Sequence, residues 1–393
     1  MEVEQKSVLI ACLANPSGNP RPFRTIWLLN KMNFEVTVLS PSFNKVFLQV
    51  DNHFEINKKI TNILSKIKRN ICIRLWKFFG IFEITNEWAE YFYWSSIMPN
   101  DNFNFIKAKS YDLIIVEDLP LLSGILKNKC LNSKVFFDAR EYFPREIESS
   151  FFFRIFDKPR VNITLNKCIP LLNEIYTVGE ILAAEFLKDF GVLPKVIRSV
   201  PFYFEYNCSY NIEMPFKMVH HGNANNDRGL EYMIEVVKEL SGLFYLDFYL
   251  VGDIDEINKL KSMASNCEWI FFKEAVDFNN LVNILSKYDL GFYLLQPTSF
   301  NTKNALPNKF FEFIQARLGV IIGPSPEMMA IVNKYEIGFV SKDFSVQSMV
   351  SLLKSLKLDD VAKMKIASNL ASKELCWEKE SLKLENMINN SLT

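Results

Sequence analysis

No run in the 393-residue chain approaches the eighteen or more apolar residues of a membrane span, so no transmembrane helix is expected. Cysteine is sparse and unpatterned: Cys12, Cys72, Cys130, Cys168, Cys208, Cys267 and Cys376 form no CxxC, and their odd number speaks against a disulfide framework or a zinc site. A reducing cytosol fits that usage. Histidine is rarer still, with three residues and no metal-ligand spacing, so no metal is expected. Net charge is absent, because 45 basic and 45 acidic residues cancel. No overall field therefore recruits nucleic acid or an anionic surface, and any such contact must come from a local patch. The acidic start of MEVEQKSVLIACLANPSGNP, with its short apolar run, lacks the flanks of a signal peptide.

What the chain does have is bulk and alternation. Its composition is globular, 49% hydrophobic and 23% charged, and its length exceeds one ordinary core, so two domains are expected. The 35 phenylalanines beside few alanines are read as a bias of the genome rather than of function. Short β-type runs alternate with helical patterns: SVLIACLA (7–14), then a helix over 23–32, then FEVTVLS (34–40). YDLIIVED (111–118), KVFFDARE (134–141), EIYTVG (174–179) and PKVIRSVP (194–201) continue the series. Several runs are apolar throughout, as parallel strands covered on both faces require.

The periodicity lapses around 202–216 and restarts with a strand over 216–221, a helix over 229–240 and strands over 245–251, 269–272, 289–294 and 319–323. The intervening helices are expected over 255–264, 278–286, 307–317 and 326–334, with further helices to the C-terminus. The division is therefore 1–205, holding an insertion over about 42–110, then 206–375, with a terminal helix over 376–393 packing back on the first domain. Two doubly wound α/β domains facing a central cleft would aim strand ends and helix mouths at a ligand.

Inside the insertion, Lys58, Lys59, Lys66, Lys68, Arg69, Arg74 and Lys77 interleave with Ile60, Ile63, Leu64, Ile67, Ile71, Leu75 and Trp76 at near-helical spacing. Two readings stand for 57–82: a domain helix with its lysines in water, or an amphipathic segment lying on an anionic membrane, to which Trp76, Phe78 and Phe79 point.

Several loops carry residues suited to an anion. VHHGNANNDRGLEYMIEVV (219–237) reads as a strand, a glycine-containing loop and a helix opened by Arg228 and Gly229, an arrangement suited to a diphosphate and also widespread in α/β proteins. YLVGD (249–253) ends another strand in glycine, and NALPNKFFEFIQA (304–316) places Lys309 and Glu312 at a helix start. Lys309 is either a phosphate ligand or a solvated first-turn lysine that gains little from the helix dipole. Glu117 and Asp118, then Asp138 and Glu141, end two strands as candidate bases, acceptor-hydroxyl ligands or helix caps. His220 and His221 are read as core or hydrogen-bonding residues, and Arg21 and Arg24 as solvated unless they meet phosphate.

Gly222 with Arg228-Gly229, then LVGD, DLGFYLL and ALPNKFFEFIQARLGVIIGP, in that order, resemble the donor-binding domain of GT-B glycosyltransferases. The group resembled is the large retaining family of bacterial lipopolysaccharide, capsule and mannosyl transferases, also called glycosyl transferases group 1 or family 4. In the first half, DAREYFPREIE (138–148) resembles its Asp-x-His-Glu-like segment, and YTVGEILAAEFLKDFGVLPKVIRSVP its glycine-helix-strand passage; only 42–110 falls outside.

The resemblance implies a GT-B fold of two Rossmann-like domains and transfer of a sugar from a nucleotide-diphosphate donor, with UDP expected over GDP. The acceptor is a hydroxyl of a glycan or lipid-linked molecule, and retention of configuration is implied. No cofactor beyond the donor and no nucleic-acid partner are expected. The setting implied is surface-polysaccharide synthesis, cytoplasmic and peripheral on the inner membrane face. It assigns Glu312 to the nucleotide ribose, Gly18, Gly222, Asn223, Arg228, Asn308 and Lys309 to the diphosphate, and Asn304, Ala305 and Leu306 to the donor sugar. Asp118, Arg140 and Glu141 stand on the catalytic side. Three positions depart from the family pattern: Asn304 where a first glutamate stands, Asn223 where a basic residue stands, and Arg140 where histidine is frequent. Those departures keep open a non-catalytic nucleotide-sugar-binding partner of a polysaccharide assembly complex, with an epimerase of the same fold as a third reading.

Overall fold

The computed structural model describes residues 5–44, 49–56, 63–84, 104–206, 208, 210–225 and 228–393, without the side chains of 63–66, 69, 278 and 279. Two compact units emerge, residues 1–198 with 381–393 and residues 199–380. Each is described by itself.

In the first unit, the described residues form a seven-stranded parallel sheet ordered β3-β2-β1-β4-β5-β6-β7. Its strands are β1 (Ser7–Ala11), β2 (Glu35–Ser40), β3 (Asn52–Glu55), β4 (Leu113–Val116), β5 (Lys134–Ala139), β6 (Glu174–Thr177) and β7 (Lys195–Val196). The apolar runs are apolar because both faces are covered: every residue of β1 and β4 is buried. Between β1 and β2 runs the Pro20–Lys31 helix, opened by Asn19, whose side chain accepts from the Arg21 N–H, and by proline in its first turn. The Glu180–Phe190 helix ends at Gly191 in the left-handed region, φ +70°. Two expectations are corrected here. The strand read over 194–201 shrinks to Lys195–Val196 at the sheet edge, and β3 adds a strand inside the insertion where none was read.

The second unit holds a six-stranded parallel sheet ordered β10-β9-β8-β11-β12-β13. These strands are β8 (Phe216–Ala224), β9 (Phe244–Gly252), β10 (Ile270–Lys273), β11 (Leu290–Tyr293), β12 (Gly319–Ile322) and β13 (Gly338–Val340). On one side, Met218, Leu246, Phe248 and Phe292 pack against Leu230, Met233, Ile234 and Val237 of the Leu230–Glu239 helix and Met349 and Leu353 of the Val346–Ser355 helix. Phe310, Phe311, Phe313 and Ile314 bury the Asn308–Gln315 helix.

The aperiodic stretch after 199 is held by side chains rather than by a ladder. Gln315 Oε1 accepts the Phe204 N–H at 3.0 Å, and Arg317 Nη2 donates to the Phe204 carbonyl at 2.6 Å. Arg317 sits just past its helix at φ +63°, a cost offset by this bond and by one to Asn369 Oδ1 at 2.8 Å.

Both sheets are doubly wound, and in both the chain changes direction beside the first strand: between β1 and β4, and between β8 and β11. Loops leaving the carboxyl ends at such a reversal diverge and leave a crevice.

Candidate functional site

In the second unit the loops flanking that reversal carry the residues that the sequence singled out. His220, Gly222 and Asn223 lie on the last turns of β8, Arg228 follows, and Tyr293 ends β11. Lys309 enters from the first turn of the Asn308–Gln315 helix, whose N-cap is Pro307 and which no side chain caps.

Lys309 is buried rather than solvated, which removes the surface reading of this residue. Its Nζ lies 3.2 Å from His220 Nε2 and 4.8 Å from the centre of the Tyr293 ring. The opposite nitrogen, His220 Nδ1, is 2.9 Å from the Phe292 carbonyl, so it carries the proton and donates there. Nε2 is then a lone pair that accepts from Lys309. Burial, followed by the neighbouring ammonium, pushes the His220 pKa well below its usual range, which keeps the ring neutral. Burial likewise lowers Lys309 from 10.5 to about 7, with Arg228 adding repulsion and Glu312 opposing it.

Glycine at 222 suits the backbone, and it leaves room for Lys309. Its φ of +122° suits no side chain, and a Cβ built there would lie 2.7 Å from Lys309 Nζ. Arg228 Nη1 stands 3.4 Å from the Tyr293 hydroxyl. Two cationic side chains and a neutral imidazole thus converge on one aromatic ring, with Glu312 the nearby acid. A buried lysine beside a half-buried arginine at a strand end is an arrangement suited to an anion.

Glu312 is half-buried, with its Oε2 3.3 Å from His221 Nε2. The approach is off the hydrogen-bonding direction, since that nitrogen finds no hydrogen-bond partner. Burial and Lys309 hold the His221 pKa well below the usual range, so the contact is not an ion pair. Asn304 is buried and donates from Nδ2 to the Phe300 carbonyl at 3.0 Å, closing the Phe300–Lys303 helix. Leu306 is buried, while Ala305 and Asn308 are half-buried. Asn223 is exposed, and its side chain packs against Gly252, whose φ of +107° and lack of a Cβ make room for it.

The first unit gathers acids at the matching position. Asp138, at the end of β5, takes a two-point grip from Arg21, Nε to Oδ2 at 2.5 Å and Nη2 to Oδ1 at 2.7 Å, and Arg21 also donates to the Ile197 carbonyl. Arg21 and Arg24 are both buried, correcting their reading as solvated loop arginines. Asp118 begins a helix but does not cap it. Instead its Oδ1 accepts from Arg140 Nη2 at 2.7 Å and its Oδ2 from the Leu13 N–H at 2.6 Å, tying the ends of β1, β4 and β5 together. Glu141 is exposed beside them. Gly18 is exposed, with open space where a Cβ would lie.

Glu117 is fully buried, and neither carboxyl oxygen finds a hydrogen-bond partner among the described residues. Burial raises its pKa to about 8; Arg140 and Arg21 oppose the rise and Asp138 and Asp118 add to it. Burial therefore favours its protonated, neutral form. The Tyr176 hydroxyl, also buried and unpartnered, lies within electrostatic reach. Among the described residues no group of three His, Cys, Asp or Glu is placed to hold a metal ion.

The sequence reading missed the His220–Lys309 pair. A signal was present, since Lys309 lies four residues before Phe313, and so on the buried stripe, while His220 and Gly222 are two apart on one strand face.

No model of a protein family matches the chain, and no curated protein matches it by sequence. Solved structures do match by shape. Sucrose-phosphate synthase from Thermosynechococcus elongatus superposes with a TM-score of 0.70 at 10% identity, over 98% of this chain and 99% of its own. A glycosyltransferase from Rickettsia africae matches over 100% of both chains with a TM-score of 0.61 at 13% identity. A trehalose-6-phosphate protein from E. coli bound with UDP-2-fluoro glucose gives 0.65 at 9% identity, over 98% and 99%. With two doubly wound parallel sheets and these neighbours at full coverage, the chain has the GT-B fold.

Proposed function

We propose that the protein is a glycosyltransferase that moves a sugar from a nucleotide-diphosphate donor to a hydroxyl of a glycan or lipid-linked acceptor. The observation that carries this reading is the buried pair Lys309 and His220 beside Arg228 at the sheet reversal of the second unit. A diphosphate placed there meets a lysine already stripped of water and the half-buried Arg228, so the charge that develops as the sugar departs is stabilised with little reorganisation. Glu312 accepts from the ribose hydroxyls. The GT-B neighbours, one of them bound with UDP-2-fluoro glucose, support a UDP-linked donor.

Retention goes with the family that the motifs resemble. The bond between the anomeric carbon and the diphosphate oxygen breaks, the acceptor oxygen bonds to that carbon on the same face, and its proton passes to the departing phosphate oxygen. No histidine base is needed at position 140 for this step. Glu141, exposed at the end of β5, orients the acceptor hydroxyl, while Asp118 and Arg140 hold the strand ends on which it stands. Asn304 faces the donor sugar in this reading, with Ala305 and Leu306, through whatever capacity its capping bond leaves. Surface-polysaccharide assembly at the cytoplasmic side of a membrane is the setting proposed.

A donor screen with purified protein, read by release of free nucleotide diphosphate, tests the reading. Turnover with one donor class and a suitable acceptor supports it; saturable UDP or GDP binding without turnover would make the protein a nucleotide-sugar-binding partner instead. Glu312→Ala is expected to weaken nucleotide affinity by about tenfold or more, the value of hydrogen bonds to a charged group. Unchanged affinity would remove Glu312 from the ribose site.

A further inference from the structure

A helix that packs on a domain ordinarily turns its apolar stripe inward. The Ile63–Ile81 helix also presents one outward. Ile67 and Ile71 are each 50% exposed, Phe78 is 52% exposed and Phe82, just past the helix, 61%. With the exposed Arg74 they fall at spacings of four, three, four and four, which is one helical row. The inward side is identified independently. Cys72 and Gly80 are buried, Arg160 Nε donates to the Trp76 carbonyl at 2.5 Å, and the Arg160 guanidinium lies 5.6 Å over the Trp76 ring. Among the described residues the exposed row therefore has no partner from the domain on which the helix sits. The neighbouring turn adds Phe151 and Phe152, the latter 70% exposed and stacked on Phe156, and Lys77 pins that turn through Asp157 at 2.6 Å.

The charge on this helix has one sign: its sequence ILSKIKRNICIRLWKFFGI holds five basic residues and no acidic one. Pairing with a second copy about a twofold axis would set cations against cations.

We propose that this face docks the first unit on an anionic lipid surface, the phenyl and isoleucyl groups entering the headgroup region while Lys68 and Arg74 meet lipid phosphates. The proposal stands apart from sugar transfer, because binding to vesicles needs neither donor nor acceptor.

Co-sedimentation of the full chain with vesicles of phosphatidylcholine, alone or mixed with phosphatidylglycerol, tests it. Expected is binding to the mixed vesicles only, released by salt. Phe78→Ser with Phe82→Ser, and separately Lys68→Glu with Arg74→Glu, should each weaken binding by about tenfold or more. All four side chains are exposed, so the variants should melt as the parent does, which circular dichroism checks. Absence of sedimentation, equal binding to both vesicles, or undiminished binding by the folded variants would overturn the proposal. So would a dimer in analytical ultracentrifugation that the phenylalanine pair alone dissolves, since the face would then belong to a second copy.

Discussion

Under the proposed function, Lys309 makes the binding of a diphosphate a proton-linked event, and the size of the effect follows from its surroundings. In the free protein its pKa is about 7 against an ordinary 10.5, because burial and Arg228 outweigh Glu312. A diphosphate beside Nζ supplies the missing negative charge and returns the pKa toward its ordinary value. At pH 8 about nine in ten free molecules lack the proton that the complex holds, so binding takes up about 0.9 proton; at pH 6 the uptake falls to about 0.1. Between about pH 7 and the pKa of the complex, affinity should drop about tenfold per pH unit, or about 1.4 kcal/mol. The ligand should be a nucleotide-diphosphate sugar, whose doubly esterified diphosphate lacks the phosphate group that titrates near pH 6. Calorimetry in buffers of different ionisation enthalpy reads the uptake directly. Lys309→Met should abolish it and flatten the pH profile, with its largest affinity loss at low pH, where the native ammonium is formed. The same substitution should stabilise the unliganded protein at pH 6. The lysine's burial penalty is fully present below its folded pKa and is relieved as pH rises from about 7 toward 10.5. Uptake near zero at pH 8, or uptake that persists in the methionine variant, would refute the assignment.

Three further outcomes follow from named contacts. Gly222→Ala should cost about 1–3 kcal/mol in urea unfolding from its positive φ and should also weaken donor binding, because the new methyl displaces Lys309 Nζ; parental stability would show that the backbone there is unstrained. Arg21→Met should cost about 3–5 kcal/mol by leaving Asp138 charged and buried, and adding Asp138→Leu should recover most of it, again by urea unfolding. Glu117 has the opposite sign from Lys309. Its folded pKa of about 8 lies above the ordinary 4.5, so the unfolded chain holds fewer protons and stability is lost as pH rises between those values. Glu117→Gln should flatten that decline by up to about 3.5 kcal/mol, measured as the difference in unfolding free energy between pH 5 and pH 8.

The fold was legible wherever burial is two-sided. LIIV in β4, LGFY in β11 and GVII in β12 are apolar throughout because helices cover both faces, and such runs announce themselves. NHFE in β3 does not: this edge strand has three exposed residues of four, and nothing in its composition sets it apart from a loop. At the site, residue types were legible and their partners were not. Arg21 follows a proline-rich loop and reads as solvated; only the parallel pairing of β5 beside β4 and β4 beside β1 brings Asp138 beneath it, 117 residues away. Asp118 reads equally as a site acid or a helix cap, and Leu13 and Arg140 claim both of its oxygens. Long-range partners of this kind depend on strand order, which no local spacing records.

The two units put different charge sets at the same crevice position, a cationic one in the second and a neutralised, carboxylate-bearing one in the first, and this divides the proposed chemistry between them. In the second unit the reversal between β8 and β11 collects Lys309, Arg228 and two neutral histidines, with one acid near them. An anion is the ligand that such a set lacks. In the first unit the reversal between β1 and β4 collects Glu117, Asp118 and Asp138, and Arg21 and Arg140 already neutralise the latter two. Glu117 avoids a third charge by keeping its proton. A phosphate brought to that cluster would meet arginines already engaged and an acid that repels it once ionised, whereas a hydroxyl can both donate to and accept from the groups present. The cationic crevice is therefore the one suited to the nucleotide diphosphate and the carboxylate-rich one to the acceptor. Reversing the two would leave Lys309 beside an uncharged alcohol, with no added anion to hold the proton that burial and Arg228 already loosen.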